Sequence, residues 1–243
     1  MKRIAILETG HPPEALRDKF DDYPARFRAL LGEDTPTVRF DVQNGHLPED
    51  PTEFSGCIVT GSAAGVYEDH FWIPQLTEWL QDALGRTRLL GICFGHQIMA
   101  HAFGGKVEKV DKGWGVGLHS YDIQSVEPWM HPRADKIAIA VSHQDQVVVR
   151  PPEARVIASC DFTPYAGLAY GDGAISFQCH PEFQPAYAAA LTELRRGTRI
   201  PDELVDEALE TLKRPNDRAV LTAWVRAFLL LTPPPVEGDG SGI

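Results

Sequence analysis

The first half of the chain alternates between short aliphatic runs and longer stretches whose apolar side chains recur every three to four positions. "RIAIL" (Arg3 to Leu7) reads as a first strand, after which Leu16, Phe20, Tyr23, Phe27 and Leu30 follow at helical spacing. Pro24 divides that segment and is expected near the start of a second helix, where its missing N–H costs nothing. "TVRFDV" and "GCIVTG" predict two further strands, and "WIPQLTEWLQDALG" an amphipathic helix closed by Gly85. "RLLGIC" has the apolar character of a strand buried inside a parallel sheet. This alternation predicts a doubly wound α/β fold with a mostly parallel sheet.

The second half changes character. "VGLHSYDI", "KIAIAVS", "QVVVR" and "RVIASC" predict strands with short polar connections, and "GLAYGDGAISFQCH" a hairpin with a two-residue turn at Asp172-Gly173. Beyond His180 the pattern is helical again over Pro185 to Arg196, Pro201 to Lys213 and Asn216 to Leu231. The expected organisation is a domain over 1–190, a helical extension over 191–231 packed on it, and a disordered tail over 232–243, "TPPPVEGDGSGI".

Charge and cysteine usage narrow the function classes. With a formal net charge of −11, the chain is not expected to bind nucleic acid or an anionic membrane, both of which select clustered Lys and Arg. Only four apolar residues precede Glu8, too few for a signal peptide, so a cytoplasmic location is expected. The longest apolar stretch, "AVLTAWVRAFLLL", carries Arg226 and reads as a packed helix. Four cysteines without a CxxC pair predict neither a disulfide framework nor a zinc site.

One of those cysteines stands apart. In "RLLGICFGHQ", Cys93 lies between a buried strand and the start of a helix, flanked by Gly91 and Gly95. Small neighbours permit a sharp strand-to-helix turn that lifts the nucleophile out of the sheet. The helix N-terminus behind it favours a thiolate and is expected to lower the thiol pKa. For an arbitrary cysteine a core position is the commoner reading, as it is for Cys179. A general base is offered by "FQCHPEF": His180 and Glu182 are two positions apart, so in an extended segment both side chains leave the same face. Glu182 can then hold the imidazole in one tautomer while His180 exchanges a proton with Cys93. His96 and His101, on the helix behind the elbow, read as structural, and His11 as part of a loop near the strand ends.

Gly91-Ile92-Cys93-Phe94-Gly95-His96-Gln97 together with Gln178-Cys179-His180-Pro181-Glu182 resembles the class I (triad) glutamine amidotransferases, which include the glutaminase domain of GMP synthase. "GSAAGVYED" and "SHQDQV" fall where that family has its oxyanion and substrate loops, so the resemblance spans roughly residues 1 to 190. It implies a flavodoxin-like fold and no cofactor or metal. It further implies that Cys93 attacks the γ-carbonyl of glutamine and that His180, oriented by Glu182, protonates the departing amine and then activates water. The oxyanion would be held by the amide of Phe94 and one from Gly61 or Ser62, and the amino-acid end of the substrate by Gln97, Gln144 and Asp145. Many members carry Gly-Gly-Pro in the oxyanion loop; Thr60-Gly61-Ser62 stands here instead, which leaves open which amide donates. "KGWGVG" loosely replaces another family stretch and reads as a glycine-rich turn.

Three functions follow as expectations. The first is an amidotransferase that releases ammonia for an acceptor, which would be a separate synthetase chain. The second is a γ-glutamyl peptide hydrolase with the same triad, differing only in the leaving amine. The third, least favoured because the triad is intact, is a binding module without catalysis.

Overall fold

Ile4 and Ile6 leave one side of the first strand, Ala5 and Leu7 the other, and all four are buried: this sheet is covered on both faces. In a computed structural model, residues 3–229 of the 243 are described. The strands are β1 (Arg3–Glu8), β2 (Thr37–Asp41), β3 (Phe54–Val59), β4 (Arg88–Ile92), β5 (Lys106–Lys109), β6 (Gly115–Ile123), β7 (Lys136–His143), β8 (Asp145–Val149), β9 (Ala154–Ser159), β10 (Gly167–Tyr170) and β11 (Ala174–Phe177). The helices are α1 (Glu14–Arg17), α2 (Tyr23–Leu31), α3 (Trp72–Ala83), α4 (Phe94–Ala102), α5 (Pro185–Leu194), α6 (Asp202–Leu212) and α7 (Arg218–Phe228). Nine strands form one sheet in the order β2-β1-β3-β4-β11-β10-β9-β6-β7. The pairings from β2 to β11 are parallel and those from β11 to β7 antiparallel. The 2-1-3-4 order of the parallel half is the flavodoxin-like arrangement, which opens a crevice at the carboxyl ends of the strands.

Packing on the two faces explains the periodicities. Ile4, Ile6, Ile58, Leu90 and Ile175 pack with Phe27 and Leu31 of α2 and with Trp224 and Phe228 of α7. Ala5, Leu7, Val59 and Leu89 pack with Leu76 and Leu80 of α3 and with Ile98 and Met99 of α4. Pro24 sits in the first turn of α2, capped by Asp22, whose carboxylate accepts the Ala25 N–H at 2.7 Å. Gly85 takes φ +80 just past α3.

The structure departs from the sequence expectations in three places. "QVVVR" is a strand, as expected, but as β8 it stands outside the main sheet and pairs antiparallel with β5, a strand the periodicity did not reveal. Only Val107 of β5 is buried, so four residues carry too little pattern to be seen. The hairpin is closed by three residues, Gly171-Asp172-Gly173, because Tyr170 pairs with Ala174 and Gly171 takes φ +56. The last helix is shorter at its start than expected; the end of that segment and the expected tail over 232–243 lie outside the described residues. Among the described residues, no helix is long and apolar enough to cross a membrane.

Candidate active site

Cys93 follows β4 as the N-cap of α4 with φ +54 and ψ −103, the one non-glycine residue with positive φ among those described. Such a conformation costs about 1–3 kcal/mol and persists only where surroundings over-determine it. Here they do. The Cys93 N–H donates to Phe177 O at 2.9 Å, its carbonyl accepts from Gln97 N at 3.0 Å, and the Gly95 N–H donates to Thr60 O at 3.2 Å. The flanking glycines have a different task from Cys93: they let the first turn of α4 lie against β3 and β4. A Cβ on Gly91 would stand 2.4 Å from Gly95 O, and one on Gly95 would stand 2.2 Å from Val59 O. Strain is therefore concentrated on the cysteine, and close packing on the glycines.

His180 follows β11 in a segment fixed by its own N–H, which donates to Ala140 O of β7 at 2.9 Å. Its Nδ1 lies 2.7 Å from Glu182 Oε1, with both side chains buried. With Glu182 as the acceptor, Nδ1 is the donor, and Nε2 has no hydrogen-bond partner among the described residues, which leaves it available to the Cys93 thiol that lines the same hollow. Burial works against the imidazolium, but the Glu182 carboxylate and Cys93 outweigh it, and the His180 pKa is raised. On its flat face His180 stacks on Phe183, with centroids 3.9 Å apart and planes 8° apart. Phe183 meets Tyr187 edge-on at 4.7 Å, and the Arg26 guanidinium lies 3.5 Å from the Tyr187 ring centre. This aromatic column immobilises the imidazole from behind, and nothing in the local sequence pattern announces it.

Gly61 touches both partners. A Cβ placed on it would lie 3.3 Å from His180 Cε1 and 3.7 Å from Cys93 Cβ. The Gly61 and Ser62 amides have no acceptor among the described residues, and the Phe94 amide, at the first position of α4, has none within its helix. Gln97, Gln144 and Asp145 line a cleft of about 270 Å³ that opens at Cys93. Gln97 is tied down: its Nε2 donates to Asp145 O at 2.9 Å and to Gln178 Oε1 at 3.2 Å, so both its N–H groups are engaged and only its oxygen is free for a ligand. Asp145 and Tyr67 both line this cleft; burial raises the Asp145 pKa, while Tyr67 and Lys109 act in the opposite direction.

The other histidines predicted near the elbow stand apart from the Cys93–His180 cluster. His96 is fully buried with Nδ1 2.7 Å from Ser176 Oγ, and burial pushes its pKa down to about 3, which keeps it neutral. His101 is exposed, and His11 pairs with Glu8 at 3.0 Å at the edge of the site. Cys179 is in the core, where burial pushes its thiol pKa up.

The cleft also contains side chains that the motifs did not indicate. Trp114, from the glycine-rich "KGWGVG", lines it, as do Arg195 and Arg199 from the end of α5 and the turn that follows. The signal available was the cluster "RRGTR" in an acidic chain, which has no periodicity of its own.

The model of the family "Glutamine amidotransferase class-I" matches residues 28–191, about two thirds of the chain and all of the elements that carry Cys93 and His180. The chain belongs to that family. The gamma-glutamyl peptidase 2 of Arabidopsis thaliana is 25% identical over 224 residues, covering 88% of this chain and 90% of that one. The glutamine-hydrolysing GMP synthase of Thermomicrobium roseum is 33% identical over 132 residues, covering 52% of this chain but 23% of that one. A glutamine amidotransferase from Methylobacillus flagellatus superimposes with a TM-score of 0.75 at 23% identity, covering 95% of this chain and 93% of that one, a likeness of fold. The relatives thus include both a chain of nearly this length and a much longer one.

Proposed function

We propose that this class I amidotransferase-family chain hydrolyses γ-glutamyl amides through a Cys93–His180–Glu182 triad. The observation that carries the reading is the strained φ of Cys93 at a helix N-terminus, beside a buried His180–Glu182 pair. Cys93 sulfur attacks the γ-carbonyl carbon, and the oxyanion is held by the Phe94 amide and that of Gly61 or Ser62. As the C–N bond breaks, the protonated His180 gives its proton to the departing amine, leaving a γ-glutamyl thioester. Water then attacks the thioester while His180 takes its proton; the C–S bond breaks and glutamate leaves. Gln144, Asp145 and the Gln97 oxygen hold the amino-acid end. The Arabidopsis peptidase, matched over nearly its whole length, supports water as the acceptor in a chain of this size.

The test is glutamate release from glutamine and from γ-glutamyl peptides by the isolated chain, without ATP or partner, using Cys93→Ala as blank. Release abolished by Cys93→Ala is expected; no glutamate from any substrate overturns the reading. The similarity to GMP synthase favours a second reading, ammonia supplied to a separate synthetase chain. Release that appears only when a synthetase is added would establish it.

A further inference from the structure

Three arginines follow one another in "RRGTR", and they have different surroundings. Arg196 points outward and is neutralised twice, by Glu193 at 2.8 Å and Asp206 at 2.7 Å. Arg195 and Arg199 turn into the catalytic cleft, and neither has a carboxylate within ion-pair distance among the described residues. Arg195 is held by neutral partners: it donates to Ser142 Oγ and lies 5.0 Å from the Trp114 ring centre. In a chain with 34 acidic residues against 23 basic ones, two guanidiniums that repel each other line the same cleft, and neither forms an ion pair with the carboxylates of Asp145 and Glu68 that also line it. A guanidinium cannot shed its charge, and its fork of donors matches a carboxylate.

The position of Arg195 indicates which carboxylate. A small hollow on the His180 side of Cys93, about 50 Å³, is lined by Tyr23, Phe183 and Leu191. Arg195 and Ser142 line both this hollow and the larger cleft, so they bridge the two sides of the thiol. The amine departs toward the proton donor, which is His180, while Asp145 and Gln144 stand on the other wall with the acyl part. A group attached to the departing nitrogen is therefore within the reach of Arg195.

We propose that Arg195, seconded by Arg199, is a carboxylate-reading subsite for the leaving group. The preferred substrates are then γ-glutamyl amino acids and peptides, whose departing amine carries a carboxylate, over glutamine, whose leaving group is ammonia. This rests on the hydrolytic reading above, and it assigns the end of α5 and the turn after it to substrate selection.

The experiment separates the two. Cys93→Ala is titrated calorimetrically with γ-glutamylalanine and with its C-terminal carboxamide, which differ only in the leaving-group carboxylate. The acid is expected to bind about 10- to 100-fold tighter, as a charge-assisted pair implies. The ratio should collapse toward one in Cys93→Ala/Arg195→Gln, shrink less with Arg199→Gln, and recover in part with Arg195→Lys. Equal affinities in the parent, or an Arg195→Gln variant that weakens acid and amide in the same proportion, overturns the subsite, as does failure to bind either. Discrimination in binding without glutamate release by the wild-type enzyme would instead overturn the hydrolytic reading and leave the subsite standing.

Discussion

Replacing Glu182 by Gln removes one charge and almost no volume, which makes it the sharpest probe of the buried pair. In the wild type the 2.7 Å bond joins two side chains that are both at most 5% exposed, so solvent screens it little. A hydrogen bond to a charged group of this kind contributes about 1.5–3 kcal/mol. At about 1.36 kcal/mol per pKa unit, losing it lowers the His180 pKa by about one to two units. The sign follows from the causes: burial disfavours the imidazolium, and Glu182 is the foremost group that overcomes it. With the carboxylate gone, His180 loses its proton at lower pH, and the alkaline limb of kcat/KM moves acidward. The same energy, lost from the transition state, slows turnover about 10- to 150-fold without abolishing it. The assay is kcat/KM for glutamate release across the neutral and alkaline range, for wild type, Glu182→Gln and His180→Ala, the last expected to be inactive. An unshifted limb in Glu182→Gln, or an active His180→Ala beside an inactive Glu182→Gln, would refute the assigned roles.

Two further predictions concern the elbow. A glutamine-like diazo-ketone should label Cys93 alone, by mass mapping: burial pushes the Cys57 thiol pKa up to about 12 and raises that of Cys179 as well, and comparable labelling at either, or at Cys160, would contradict the elbow. Gly95→Ala should cost about 1–3 kcal/mol, a fall in Tm of about 2–12 °C, and slow Cys93 alkylation, because its Cβ would meet Val59 O. Gly85→Ala, with no atom within 4 Å of its Cβ, should leave alkylation unchanged; equal slowing in both variants would show that packing at Gly95 does not set the elbow.

Much of this protein was determined by local order along the chain. The unbroken apolar run in "RIAIL" follows from a sheet covered on both faces, and the helical spacing in α3 from burial of one face of that helix. The strand-to-helix turn at Cys93 was legible because the cysteine, its glycines and the helix start are neighbours in sequence. The His180–Glu182 pair was legible because two residues two apart can meet without any tertiary contact. Tertiary structure alone decided the rest. The stack of His180, Phe183, Tyr187 and Arg26 joins residues more than 150 positions apart, and β5 is defined by pairing with β8, not by its own pattern. Arg195 and Arg196 are adjacent and chemically identical, yet Arg196 is neutralised by carboxylates outside while Arg195 lines the cleft that opens at Cys93. Sequence specifies the charge of each, but only the end of α5 fixes which way it points, and so which anion it meets.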